Sequence, residues 1–388
     1  MMRLVDTRGT CMSRGSARRM SFWLGSALAC SSVLASAQEA TFAVQAKKVL
    51  TGTGEAIESG VVLVENGKIR AVGAGLAIPA GWTVHQHDGV VMPGMIDLGA
   101  TLGGSELLEN HESLTPDLRV ADGLDLWDPS FAAWLGAGVT SVYVIPPTGS
   151  VIPGSGAVVK TTGAAAQRVV AADAGLEIGL NAGARRRDRA PTSVQGTALA
   201  LRDLFGDPQA AASVQRAKRG ELAVFAHAES AGEVRLAAQL SKELGWKARL
   251  VGPALPDQAL AIARGAAIPL VLRPLDYGAD ERTRRSYGAL GATPHPLGFA
   301  SLAQGGGEPG LRRGAALAVR AGLDPAIAVR ALTGGAATLL GLEARIGTIA
   351  PGRDADLVWL DGDPLDLGTR IVAVFVDGKR ADRGAEGQ

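Results

Sequence analysis

The chain is 388 residues long, 47% hydrophobic and 20% charged, with a formal net charge of +1. That is material for one large domain or two modest ones, and so even a charge balance excludes an electrostatic grip on nucleic acid. Only 4% of the residues are aromatic and 52 are glycine, a small-residue composition suited to an α/β protein.

At the N-terminal end, Arg14, Arg18 and Arg19 precede an apolar run over residues 22–34 and then Ala35-Ser36-Ala37. Positive, apolar and small-residue segments in that order make a cleavable export signal, and the run is shorter than the roughly 20 residues a membrane span needs. Residues 1–37 are therefore expected to be a signal peptide, the mature protein to be periplasmic or secreted, and the mature chain to have no membrane span. Ala27-Leu28-Ala29-Cys30 makes a weaker case for a lipoprotein signal, because its leucine stands one place late, and Arg18-Arg19 is a hint of a twin-arginine route. Processing removes five arginines and Asp6, taking the formal charge from +1 to −3, and removes both cysteines, Cys11 and Cys30. The mature core must then hold without disulfides, which a chain of this size allows.

Residues 43–91 read as strands with turns between them. Val61-Val62-Leu63-Val64 and Ile69-Arg70-Ala71-Val72 flank Asn66-Gly67, the strongest short signal for a hairpin. At the other end, Ala355-Asp356-Leu357-Val358-Trp359-Leu360 follows Pro351-Gly352-Arg353-Asp354, and residues 371–377 form a last strand before Gly378-Lys379. Two β segments at the termini predict a small β-sandwich domain from residues 38–92 with 343–388. Between them, apolar strand-like runs alternate with helical ones: residues 138–145, 222–227, 248–251 and 268–272 as strands, residues 231–244 and 257–264 as helices. Such alternation predicts a parallel sheet, and residues 93–342 suit a (β/α)8 TIM-like barrel.

Pro93-Gly94-Met95-Ile96-Asp97-Leu98-Gly99-Ala100-Thr101 resembles the first barrel strand of the amidohydrolase superfamily, where a similar run leads into His-x-His. The resemblance extends over nearly the whole mature chain and is closest to the imidazolonepropionase-like branch. Ala137-Gly138-Val139-Thr140-Ser141-Val142 resembles the second strand of that branch. Residues 146–163, with Gly149-Ser150-Val151-Ile152, Gly154 and Val159-Lys160-Thr161, are similar to its glycine-rich loop ending in lysine. Pro191-Thr192-Ser193 with Gly196, and Ala226-His227-Ala228, match further segments. The most specific stretches are Ala336-Ala337-Thr338-Leu339-Leu340-Gly341 and Gly347-Thr348-Ile349-Ala350-Pro351-Gly352-Arg353-Asp354-Ala355-Asp356-Leu357.

The resemblance implies hydrolysis of non-peptide C–N bonds by one or two divalent metals, zinc for example, at the barrel mouth. The implied ligands are His-x-His on strand one, His on strands five and six and Asp on strand eight, with a carboxylated lysine in some members. Metal-bound water would supply the nucleophile and the aspartate would act as general base. Here Gly99 and Thr101 stand in the strand-one places, Gly252 or Pro253 in the strand-six place and Leu302-Ala303 in the strand-eight place. His227 alone matches, and catalytic zinc usually takes three protein ligands.

Other residues stay open. His227 is either a ligand or a hydrogen-bonded strand-end histidine. Lys160 could contact an anion, be a carbamylated ligand, or be a surface lysine beside a strand. His111 and His295 could lean over the mouth, giving with Lys160 a possible pocket. His85 and His87 lie on one face of a strand in the small domain and are expected to be solvated. Arg185, Arg186, Arg187 and Arg189 could attract an acidic small molecule or simply cover a solvated loop. Asp97 is expected to serve the fold. Three readings follow: an exported pseudoenzyme that binds a small molecule without metal; an active hydrolase with an atypical metal site around His227; and a cell-envelope scaffold or interaction protein. A homo-oligomer is compatible with each.

Overall fold

The computed structural model describes residues 41–381 apart from residues 55, 105, 106, 108, 110, 305 and 306; the expected signal peptide lies outside the described residues. The chain begins with β1 (Phe42–Leu50), β2 (Ala56–Glu65), β3 (Lys68–Ala74) and β4 (Thr83–Pro93). Asn66 and Gly67 both take positive φ, 54° and 73°, which is what a two-residue turn between twisted strands requires.

Gly94 separates β4 from β5 (Met95–Ala100), where the chain leaves the first sheet and starts the second. The second sheet continues with β6 (Val139–Val144), β7 (Gly154–Lys160), β8 (Val169–Gly179), β9 (Ala223–His227), β10 (Lys247–Val251), β11 (Leu270–Leu272) and β12 (Leu297–Phe299). Its eight strands lie in sequence order. Leu302 N–H donates to the Gly99 carbonyl at 2.8 Å and Thr101 N–H to the Ala303 carbonyl at 2.9 Å, so the barrel is nearly closed between its last and first strands.

The barrel departs from the expected (β/α)8 pattern at β7, which pairs antiparallel with both β6 and β8 while the other pairs are parallel. The cause is loop length. A parallel crossover takes about a dozen residues or more, and residues 145–153 and 161–168 fall short of that, so the chain can only fold back. Elsewhere helices make the return. Residues Ala231–Leu244 show how: Ser230 and Glu233 form a reciprocal capping box, Gly245 ends the helix at φ 81°, and Val234, Ala237 and Leu240 on one face are buried. Within β9, Val224 and Ala226 join the core under the helices while Phe225 points into the barrel with Ile96, Tyr143, Val251 and Val271. That is the two-residue alternation of a strand.

The chain then returns to the first sheet with β13 (Leu357–Leu360), β14 (Ile371–Val376) and β15 (Lys379–Arg380). The expected sandwich is one seven-stranded sheet, in the order β15-β14-β13-β4-β1-β2-β3. Its eleven-residue β4 is the reason, since it pairs with β1 on one side and with β13 on the other, joining both ends of the chain. The sheet curls around Val44, Val62, Val91, Leu357 and Phe375, and its β3 edge bonds the turn before β13 through Ile69 N–H to the Arg353 carbonyl at 2.9 Å. His85 and His87 do share a strand face, but it is not a solvated one. Their rings lie 5.6 and 5.4 Å from that of Trp359, and His87 Nε2–H donates to the Leu360 carbonyl at 2.9 Å. Among the described residues, no helix is long and apolar enough to cross a membrane.

Candidate functional site

The C-terminal ends of the parallel strands form the barrel mouth. Gly99 at the end of β5, Gly252 just after β10 and Leu302 shortly after β12 converge there. A Cβ on Gly99 would stand 3.2 Å from Leu302 Cδ2, and one on Gly252 would stand 3.4 Å from Leu302 Cδ1. One leucine therefore packs against both glycines. Gly252 has φ 71°, a conformation side chains rarely adopt, and the same built Cβ would come 3.2 Å from Arg273 Nε. Leu302 itself has φ 50°. That backbone state suits glycine, asparagine or aspartate and strains a leucine by about 1–2 kcal/mol. Thr101, on the barrel's closing seam, turns its hydroxyl toward the Ile145 carbonyl at 3.4 Å.

His227 ends β9 and is buried. With its Nε2 protonated it donates to Glu177 Oε2 at 2.5 Å, and Tyr143 donates to Glu177 Oε1 at 2.6 Å. Glu177, fully buried on β8, thus bridges two side chains across the barrel interior. Burial and the neighbouring Glu177 charge push the Tyr143 hydroxyl well above its ordinary value, so it stays a donor. Nearer the rim, Glu229 accepts from Arg273 at 2.8 Å and from Asn181 at 3.2 Å. Replacing His227 by alanine should cost about 1–3 kcal/mol in chemical denaturation, because a buried carboxylate oxygen loses its donor.

Asp97 lies beneath the mouth, fully buried. It accepts from Gly99 N–H at 3.1 Å, Ser301 N–H at 2.9 Å and Trp134 Nε1–H at 2.8 Å. It ties β5 to the segment after β12 and to the helix Ser130–Gly136, which gives it the structural role expected of it.

The remaining sequence candidates do not assemble around His227. His111 is exposed on the loop after β5, its backbone N–H on Glu109 at 2.6 Å. His295 precedes β12, and its Nε2–H donates to the Ile268 carbonyl at 2.8 Å. The pairings His227–Val251, Val271–Gly298 and Gly252 N–H with the Val271 carbonyl place it about 10 Å down the strands from His227, at roughly 3.3 Å per residue. Burial, followed by the nearby Arg264 charge, holds the His295 ring below the usual histidine value, hence neutral.

Lys160 differs most from expectation. Because β7 runs backwards, its last residue pairs with Ser141 near the start of β6, at the end of the barrel opposite the mouth. Fully buried, its ammonium reaches Asp354 at 2.7 Å and Asp356 at 3.0 Å, and also bonds Asp377. In the arginine run, Arg185 pairs with Glu233 at 3.1 Å, Arg186 with Asp188 at 2.6 Å, and Arg189 donates to Ser150 at 2.8 Å. Those three are engaged locally, and Arg187 is exposed.

The family resemblance implies a divalent metal at this mouth. Among the described residues no three His, Cys, Asp or Glu side chains lie where they could share an ion. The sequence reading missed Glu177, although its setting between Leu176 and Ile178 in an apolar strand was a visible signal. It also missed Arg273 and Leu302 as the groups that stand against Gly252, which no local pattern encodes.

Residues 311–381 match a model of the amidohydrolase family. No curated protein sequence matches the chain. Among solved structures, an amidohydrolase from Thermotoga maritima MSB8 is 24% identical, with a TM-score of 0.78 over 88% of this chain and 100% of that one. A. niger ochratoxinase is 16% identical, with a TM-score of 0.60 over 90% and 97%. A putative prolidase from Bifidobacterium longum is 19% identical, with a TM-score of 0.58 over 89% and 95%. The chain has the amidohydrolase fold, a metal-dependent hydrolase fold.

Proposed function

We propose that this chain is an exported member of the amidohydrolase superfamily, of the imidazolonepropionase-like branch, that no longer hydrolyses C–N bonds through a metal and whose barrel mouth binds a small molecule. The observation that carries the reading is Leu302. Its two methyls pack against Gly99 and Gly252, so one apolar side chain occupies the space between three positions where the resemblance puts ligands. The backbone at Leu302 still has the left-handed turn that an aspartate tolerates, while the side chain it carries cannot bind an ion or move a proton. A single loss could be repaired by a neighbouring ligand. Here several ligand places are replaced together, and a hydrocarbon side chain stands between two of them. Arg273, Glu229 and Asn181 at the rim remain as polar groups for a ligand.

Glu177 favours the second reading, an atypical hydrolase, because it places a carboxylate beside His227. Two ligands fall short of the usual three. Metal analysis of the purified mature protein separates the two readings. The expected result is far less than one equivalent of zinc, iron or manganese, with a thermal midpoint unchanged by chelator. About one equivalent retained through purification and lost on His227→Ala would establish the atypical site instead. Returning an imidazole through Gly252→His should by itself destabilise the protein by about 1–2 kcal/mol, read by denaturant titration, because of its left-handed backbone.

A further inference from the structure

A cavity of ≈ 600 Å³ lies at the opposite end of the barrel from the mouth, within the size range of small-molecule sites. It sits where the start of β12 and the helix Gly334–Leu340 face the loops at Gly52–Thr53 and Thr348–Arg353 of the first sheet. His295 lines it, and so it is separated from His227 by the length of strand described above. Leu297, Leu339 and Ala350 give it apolar walls, and two guanidinium groups, Arg330 and Arg353, line it as well.

The arginines set the chemistry. Arg345 nearby is paired with Asp354 at 3.0 Å, but among the described residues neither Arg330 nor Arg353 has a carboxylate partner within 4.0 Å. Glu343, also lining the cavity, is exposed and pairs with neither. Arg353 Nε is moreover buried with no hydrogen-bond acceptor. A buried N–H without an acceptor is uncommon in folded proteins and marks a place where a partner is missing. His295 adds no charge, since its Nε2–H is committed to Ile268 and its ring is held neutral. Two like charges in one mostly apolar cavity repel each other unless an anion lies between them, and a carboxylate matches the guanidinium fork in geometry and charge.

We propose that this cavity binds a small amphipathic carboxylate, its anionic end on Arg330 and Arg353 and its apolar body against Leu297, Leu339 and Ala350. The site is independent of the mouth and of whether the mouth holds a metal. Isothermal titration of the full mature chain with naphthoate, and with naphthamide as its uncharged counterpart, tests it. Saturable binding of naphthoate is expected, with naphthamide at least about tenfold weaker, since a charge-assisted hydrogen bond is worth that much. Arg330→Gln and Arg353→Gln should each weaken naphthoate by about tenfold. Thr338→Trp, which puts a bulky side chain into the cavity from an exposed helix position and leaves both arginines in the sequence, should abolish binding while the protein melts as before. Because Arg353 also sits in the contact between β3 and the turn before β13, this third variant decides the matter if Arg353→Gln fails to fold. The proposal is overturned if millimolar naphthoate gives no saturable heat, if naphthamide binds equally well, or if Thr338→Trp binds naphthoate unchanged.

Discussion

Lys160→Met is expected to lower the unfolding free energy by about 3–5 kcal/mol at neutral pH, the cost of stripping a buried ion cluster of its central charge. Lys160 is the fully buried cation among Asp354, Asp356 and Asp377. It is also the hinge pin between the two sheets, because it stands on β7 of the barrel while the three aspartates belong to turns and strand starts of the first sheet. Burial by itself would depress its charge, but Asp356, Asp354 and Asp377 outweigh burial and raise its pKa. Methionine keeps most of the volume and leaves three carboxylates facing one another. Lys68, at 2.5 Å, and Arg345 would still shield Asp354, but Asp356 Oδ2 already lacks a partner.

The pH dependence of that loss has a definite sign. Burial would raise Asp354, yet Lys160 and then Lys68 overcome it and hold its pKa below the ordinary 3.8. A depressed carboxylate contributes stability above its unfolded pKa and loses it as pH falls. Burial pushes Asp356 the other way, against the pull of Lys160. Without the lysine Asp354 and Asp356 both lose the charge that pulls them down, so the deficit should be greatest at neutral pH and shrink as the pH falls and they take up protons. Urea titrations at neutral and at acid pH check this. Adding Asp356→Leu to the Lys160→Met variant should recover part of the loss, because a hydrophobic replacement of a buried ion pair is often tolerated. A single variant that melts within a degree or so of the wild type would rule out the cluster as the link between the sheets.

Asp97→Ala should cost about 3–5 kcal/mol, since it leaves three buried donors, Gly99 N–H, Ser301 N–H and Trp134 Nε1–H, without an acceptor. These bonds close the barrel seam, so the loss should appear as faster hydrogen exchange at Thr101 and Leu302 as well as in global stability. Asp97→Asn separates charge from hydrogen bonding. Burial, opposed by the bonds from Ser301, Trp134 and Gly99, pushes the Asp97 carboxyl up from 3.8 to about 6. A carboxyl raised in the folded state binds more protons there than in the unfolded chain between those values. Its contribution is therefore full below pH 3.8 and lost as pH rises through about 6. That slope corresponds to about 3 kcal/mol across the window. The asparagine variant cannot titrate and should lack it, so the two stability curves should converge toward pH 7. They should not meet, because the amide would set an N–H group against that of Trp134.

Much of the fold was legible because its causes are local. Asn66-Gly67 dictates the hairpin through backbone φ, Ser230 with Glu233 starts a helix by satisfying its first N–H groups, and alternation along β9 tells which side chains enter the barrel. The reversal of β7 could have been read from its two short connections. It was hidden because residues 146–163 resemble a glycine-rich loop ending in lysine, so no strand is expected there. The site was legible as a set of substitutions at His-x-His, strand six and strand eight, but not as an arrangement. Gly99, Gly252 and Leu302 lie far apart in the chain, and nothing near Leu302 says that its methyls reach both glycines.

By itself the sequence determined an α/β chain with a barrel, a sheet made from both ends, and a metal-ligand pattern with His227 as its one matched position. Periodicity and turn residues carry the first two within short windows, while the ligand pattern is what the family resemblance implies. Only the tertiary structure decided that Lys160 is an interior ion-pair centre far from the mouth, that Glu177 holds His227, and that the side chain of Leu302 packs against both Gly99 and Gly252. Each of these depends on which distant side chains share a desolvated space. Burial and electrostatics act through that space, and chain order does not record it.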